Sequence, residues 1–241
     1  EIINLQSILN LPKGTEHFMS DLHGEYDAFY HIINNCSGVI REKVAMLYGD
    51  ELTVFEQQEL CTLIYYPREK LSILMDENKV NDEWYRNVLN QLIQIAKLLS
   101  SKYTRSKVRK AMPVDFAYII DELIHAQKDE DDNRSVYHRQ IMETILSLHN
   151  GDEFLVALTD LIKRLAVDHL HILGDIYDRG PHADKILDLL MEHHSVDIQW
   201  GNHDILWMGA FCGNPVCMAL VVRNNIKYKT MSILENGYGI S

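Results

Sequence analysis

Cysteine is scarce in this chain of 241 residues. The four present (Cys36, Cys61, Cys212 and Cys217) are too few and too scattered for a disulfide framework. Cys212 and Cys217 have no second close pair, which argues against a four-cysteine zinc site. Positive charge is also short: 23 Lys and Arg stand against 35 Asp and Glu, a net charge of −12. Such a chain is a poor partner for nucleic acid or an anionic membrane, and it suits divalent cations. Long apolar runs are missing. The longest, Val216 to Val222, has seven residues, where a membrane-spanning helix needs about 20. The first residues show no leader pattern, so the cytoplasm is the expected compartment. Histidine is absent after His203, although twelve precede or include it.

Proline and glycine number only 5 and 12 and fall in a few places. Most of the remainder reads as helix. Glu16–Ser20 reads as a buried strand, and Glu25–Asn35 as a helix with Phe29, Ile32 and Ile33 on one face. From about Gly38 to Leu165 the periodicity is almost entirely helical. Pro67 suits a first helical turn, and Asn81 with Asp82 and Glu83 makes a good helix start. Trp84, Val88, Leu92, Ile95 and Leu99 then recur at helical spacing. Phe116–Ile124 and Ile141–Leu148 repeat the pattern. The charge run Asp129–Asp132 reads as a solvated loop.

The texture changes near Val167. Val167–Leu173 alternates and runs into Gly174-Asp175; Ala183–His193 reads as a helix; Val196–Trp200 alternates again and runs into Gly201-Asn202. This is a βαβ pattern with a parallel sheet and polar residues at the strand C-terminal ends, where open α/β sheets bind ligands. His17, on the first strand, and His169 and His171, alternating on the next, read as structural. His193 and His194 close a helix, where positive charge suits the dipole.

Three short motifs each follow an expected strand: Asp21-Leu-His23, Gly174-Asp-Ile-Tyr-Asp-Arg-Gly180 and Gly201-Asn-His-Asp204. All are rich in oxygen and imidazole ligands and bracketed by glycines that let the backbone turn. Alone, the first and third are weak signals; the second is specific. Together and in this order they resemble the calcineurin-like metallophosphoesterases. Asp175 and Asn202 are 27 residues apart, as is usual there, but Asp21 and Asp175 are 154 apart. The helical stretch accounts for the excess. That insertion, with Pro12–Phe18, Ser101–Lys110 and Val196–Asp204, is similar to the class III fructose-1,6-bisphosphatases of Firmicutes and Bacteroidetes-type bacteria.

The resemblance implies an α/β fold, of α+β kind: a partial metallophosphoesterase sheet with βαβ units, interrupted by a large all-helical insertion. Residues 1–37 would begin the core, 38–165 form the insertion, and 166–241 continue the core without its C-terminal half. It implies two manganese ions, with Asp21, His23 and Asp175 on the first, and Asp175 bridging to a second held by Asn202. A mixed carboxylate, imidazole and amide set fits manganese better than calcium or a closed zinc site. His203 would be the general acid, Asp178 its partner, Arg179 a fork for phosphate, and a metal-bound hydroxide the nucleophile. Asp204 would orient the loop.

The substrate implied is the small-molecule sugar bisphosphate fructose 1,6-bisphosphate, cleaved to fructose 6-phosphate and phosphate in gluconeogenesis. A protein phosphatase, a dinucleoside-polyphosphate hydrolase and a non-catalytic interaction module are the alternatives. The family's chains are longer and carry later histidine motifs. The expectation is therefore an internal fragment that binds metal weakly and turns over poorly, with apolar sheet surface favouring self-association. Lys102, Arg105, Lys107, Arg109 and Lys110 form a cationic stretch, and Arg105 and Lys107 are candidate phosphate-binding residues.

Overall fold

The computed structural model describes residues 1–126 and 132–240, apart from the side chain of Asp132. The charge run at 129–132 therefore lies outside the described side chains. In chain order the elements are α1 (Ile2–Leu9), β1 (Glu16–Met19), α2 (Tyr26–Asn35), α3 (Val39–Tyr48), α4 (Val54–Tyr65), α5 (Pro67–Asp76) and α6 (Asp82–Ser100). There follow α7 (Arg105–Ala111), α8 (Ala117–His125), α9 (Asp132–Ser147), α10 (Gly151–Ala166), β2 (His169–Ile172), α11 (Ala183–Glu192), β3 (Val196–Ile198), α12 (Asn202–Phe211) and α13 (Pro215–Tyr228). The chain is mostly helical with a small three-stranded parallel sheet among the described residues, an α/β composition. No described helix is long and apolar enough to cross a membrane.

Contacts divide the chain into two compact units, residues 1–14 with 34–166 and residues 15–33 with 167–241. In the first, helix starts follow local chemistry. Thr53 and Glu56 close a reciprocal capping box on α4: the Thr53 N–H donates to Glu56 Oε2 at 2.8 Å, and the Glu56 N–H donates to Thr53 Oγ1 at 3.3 Å. The Trp84 N–H donates to Asn81 Oδ1 at 2.8 Å at the start of α6. α6 and α10 pack on each other through apolar stripes: Leu89, Leu92, Ile95 and Leu99 on one, Phe154, Leu155, Leu158 and Leu161 on the other, all buried. Gly151 allows the start of α10 to meet the Tyr85 ring.

The second unit holds the sheet, in order β1-β2-β3, all parallel. Alternation sends Leu170 and Ile172 of β2 into a core with Leu22, Phe29, Ile176, Ile186, Leu190 and Val221. Glu16, Phe18, His169, His171 and Asp197 lie on the opposite face. That face is mixed: the Phe18 ring is exposed, and the other four side chains are polar. Exposed apolar side chains also lie on α12 and α13, among them Phe211, Val216 and Ile226. Those two helices pack as a hairpin, with Gly209 passing close to the Cys217 side chain.

Two expectations change. Ile32 is 39% exposed, so the apolar face of α2 is carried by Phe29 and Ile33. α11 ends at Glu192, and His193 is not a charge on its dipole. Burial and the neighbouring His194 push the His193 pKa down to about 4, which leaves the ring neutral at physiological pH.

Candidate active site

The site grows out of the strand ends of the sheet unit. Beyond β1 and β2 the chain continues to pair. The Asp21 N–H donates to the Gly174 carbonyl at 3.1 Å, His23 N–H to Asp175 O at 2.8 Å, and Gly24 N–H to Ile176 O at 2.8 Å. Gly180 N–H then donates to His23 O at 2.7 Å. The first two motifs thus run side by side, backbone against backbone. Gly24 (φ 69°) and Gly180 touch so closely that a Cβ on either would strike the other's main chain. A Cβ at Gly201 would strike the Asp175 carboxylate, so the third motif also needs its glycine.

The turns are strained where the chemistry sits. Asp21, His23, Asp175, Asp178 and Arg179 all have positive φ, between 46° and 74°. Non-glycine residues hold such values only when the surroundings over-determine them. Here the surroundings include Asp204, a fully buried carboxylate. Its Oδ2 accepts from the Asp175 N–H at 2.7 Å and the Gly201 N–H at 2.8 Å. Its Oδ1 accepts from the Ile176 N–H at 2.9 Å and the Tyr177 N–H at 3.1 Å. Four backbone donors on one side chain tie the second motif to the third.

Asp21, His23 and Asp175 present ligand atoms within 4.8 Å of one another. His23 is buried, and its Nδ1 lies 3.0 Å from the Tyr177 carbonyl. A carbonyl only accepts, so Nδ1 carries the proton and Nε2 keeps its lone pair. That Nε2 is buried, has no hydrogen-bond partner, and stands 3.5 Å from Asp21 Oδ1. An oriented imidazole facing two carboxylates is a donor set that fits a divalent cation.

Beside it lies a second arrangement. His203 Nδ1 is 2.6 Å from Asp178 Oδ2, and the His23 and His203 rings meet edge to face at 5.4 Å. The Asp178 carboxylate is fully buried. It also accepts from Trp207 Nε1 at 3.0 Å and Asn224 Nδ2 at 2.8 Å. The His203 N–H faces Asp175 Oδ1 at 3.3 Å. The His203 ring is thereby fixed, with its Nε2 available to move a proton. Arg179 is exposed next to this group. Asn202 opens α12 one residue before His203 and is exposed.

Arg105 and Lys107 belong to the helical unit, exposed on α7. Lys107 Nζ lies 5.0 Å from the centre of the Tyr103 ring, and Arg109 pairs with Asp121 at 2.8 Å. Sequence alone does not single out Trp207 or Asn224. Trp207 is one helical turn beyond His203 on α12, a spacing that could have flagged it. Asn224 carries no such signal, because the α12–α13 hairpin delivers it. Tyr177 contributes through its carbonyl, which no side-chain pattern reveals.

The whole chain, residues 1–241, matches the family model described as Firmicute fructose-1,6-bisphosphatase. It is 58% identical over its full length to a class 3 fructose-1,6-bisphosphatase of Clostridium beijerinckii, covering 36% of that protein. It is 55% identical to a protein of that name from Listeria innocua (37% covered) and 54% to one from Bacteroides fragilis (36% covered). The chain therefore spans about a third of the length of the curated relatives it matches. No solved structure matches it.

Proposed function

The chain belongs to the Firmicute fructose-1,6-bisphosphatase family, and from that premise we propose that the longer protein hydrolyses fructose 1,6-bisphosphate to fructose 6-phosphate and phosphate. The setting would be gluconeogenesis in a bacterial cytoplasm. The sheet would be the first part of a metallophosphoesterase core. The observation that carries the reading is the buried, partnerless Nε2 of His23 facing Asp21 within reach of Asp175. Asp21, His23 and Asp175 would hold one divalent cation, manganese by donor type, and Asp175 with Asn202 would contribute to a second. Such cations polarise phosphoryl oxygens and acidify water.

The chain's own residues supply the rest. His203 donates a proton to the departing sugar oxygen through Nε2, while Asp178 holds its ring in place. Trp207 and Asn224 hold Asp178 in turn. Arg179 offers two parallel N–H donors to phosphate oxygens. Asp204 keeps the two loops in register, so that proton donor and metal ligands keep their spacing.

The test is phosphate release by the longer protein with manganese, from fructose 1,6-bisphosphate, a phosphopeptide and diadenosine tetraphosphate. Fructose bisphosphate is the expected substrate. His203→Ala is expected to lower kcat by about 10²–10⁴-fold with little change in metal binding. Asp175→Asn is expected to abolish both. The 241-residue chain alone is expected to turn over poorly, and equal specific activity with the longer protein overturns that part. Self-association belongs to the same reading, supported by exposed Phe211, Val216 and Ile226. A monomer by light scattering removes it.

A further inference from the structure

The face of the sheet turned away from its core carries a second constellation, which the proposed phosphatase chemistry does not use. In the strand register Phe18 is level with His171, and His171 with Asp197, so three strands place one side chain each in a row. His169 stands one step back on the same face of β2. His171 Nδ1 lies 2.9 and 3.0 Å from the two Asp197 oxygens, and His169 Nε2 lies 3.3 Å from Oδ2. We propose that His169, His171 and Asp197 form a separate binding site for a first-row divalent cation of the zinc class.

Geometry supports this. Ligand atoms about 2.0–2.1 Å from a tetrahedral zinc stand roughly 3.3 Å from one another, close to the nitrogen-to-oxygen separations here, and all three ligand atoms lie within 4.8 Å of one another. Each ring is held from behind as metal-bound imidazoles usually are. His169 Nδ1 is 2.6 Å from Ser195 Oγ, which can take its proton and leave Nε2 as the lone-pair nitrogen. The His171 ring stacks on Phe18 at 4.3 Å and 12°. Its Nε2 is buried without a hydrogen-bond partner, with Glu16 Oε2 at 3.9 Å. A proton on that Nε2 would face the Glu16 carboxylate and leave the Nδ1 lone pair pointing at Asp197. In that pair of tautomers two lone pairs would face a carboxylate, an arrangement that repels unless a cation lies between. Two imidazoles with one carboxylate suit zinc, cobalt or nickel better than magnesium or calcium. Asp197 is half-exposed, which leaves room for water as a fourth ligand. The site is distinct from the Asp21 group: His169 opens β2, whereas Asp175 lies beyond its C-terminal end.

The test uses the 241-residue chain stripped with a chelator and titrated with Zn²⁺, followed by calorimetry, and with Co²⁺, followed by visible absorption. The expected result includes a binding event, separate from any at the Asp21 group, that Asp21→Asn with His23→Ala leaves intact and Asp197→Asn removes. Four-coordinate cobalt absorption should be lost with it. Ser195→Ala is expected to weaken it about tenfold or more. Equal stoichiometry and affinity in the parent chain and Asp197→Asn overturns the proposal, as it leaves only the hydrogen-bonded set in which both rings donate to Asp197. If Asp197→Asn fails to fold, the parent chain still decides. Zn²⁺ should protect His169 and His171 from diethyl pyrocarbonate, and unchanged labelling of both overturns the site.

Discussion

The helical unit and the sheet unit reach a defined structure by opposite means. α6 and α10 join through the buried apolar side chains Leu92, Leu99, Phe154 and Leu158, and the one fully buried polar side chain of α10, Thr159, donates to the Val156 carbonyl of its own helix. The sheet unit buries Asp178, Asp204 and His23 and bends non-glycine residues into positive φ beside them. Burying charge costs free energy unless every lone pair is met. Asp204 meets four N–H groups and Asp178 meets three donors, so the cost is offset where the loops must be rigid. One unit is specified by shape, the other by polar satisfaction around a candidate reaction centre.

The largest effects test that contrast directly. Asp204→Ala would leave four buried N–H groups unmet and is expected to cost about 4–5 kcal/mol. Asp204→Asn keeps the shape but sets an NH₂ against backbone donors, and is expected to cost nearly as much. In the helical unit Phe154→Ala is expected to cost about 3–5 kcal/mol, whereas the volume-conserving Leu158→Met should cost less than about 1.5 kcal/mol. Urea unfolding can separate the units, with Trp84 reporting on one and Trp207 on the other. A cheap Asp204→Asn or a costly Leu158→Met would break the comparison.

Smaller effects sharpen it. His193 faces His194, His169 and His17, and burial holds its pKa near 4. Unfolded chains take up its proton below the ordinary value of about 6.5, so stability is complete above that pH and falls as pH drops toward 4. Allowing for partial exposure, the loss is on the order of 1–2 kcal/mol. The pH dependence of Tm should flatten in His193→Gln. Thiols divide the units too. Cys36 is buried with its pKa pushed up to about 12, and Cys61 is raised for the same reason, whereas Cys212 is exposed. At pH 8 a thiol reagent should label Cys212 readily and Cys36 and Cys61 only on unfolding. Least of all, Arg105→Ala with Lys107→Ala should weaken phosphate-ester binding severalfold at low salt only. No change at low salt removes Arg105 and Lys107 as phosphate-binding candidates.

The three motifs were legible as sequence because glycines and ligand residues at strand ends are local features. So were the cap at Asn81 and the apolar stripe of α6. The division of the chain was less so. The expected boundaries were 37/38 and 165/166, while contacts group residues 1–14 with the helices. Periodicity says which face is apolar but not what covers it. Asp204 was expected to orient the loop, but its partners were not legible, since three of its four donors lie nearly thirty positions before it in the chain. His193 read as a charge at a helix end because exposure, not sequence, decides whether an imidazole keeps its proton.

By itself the sequence determined which residue types are available at each strand end, where helices start, and which family the chain resembles. Only the tertiary structure decided that His23 Nε2 is buried without a partner, that Asp178 is shared by His203, Trp207 and Asn224, and that His169, His171 and Asp197 converge. The reason is physical. Capping and periodicity act between residues three or four apart, within reach of one turn of chain. Desolvation and donor sharing depend on side chains brought together from distant segments, and those distances exist only once the sheet has formed.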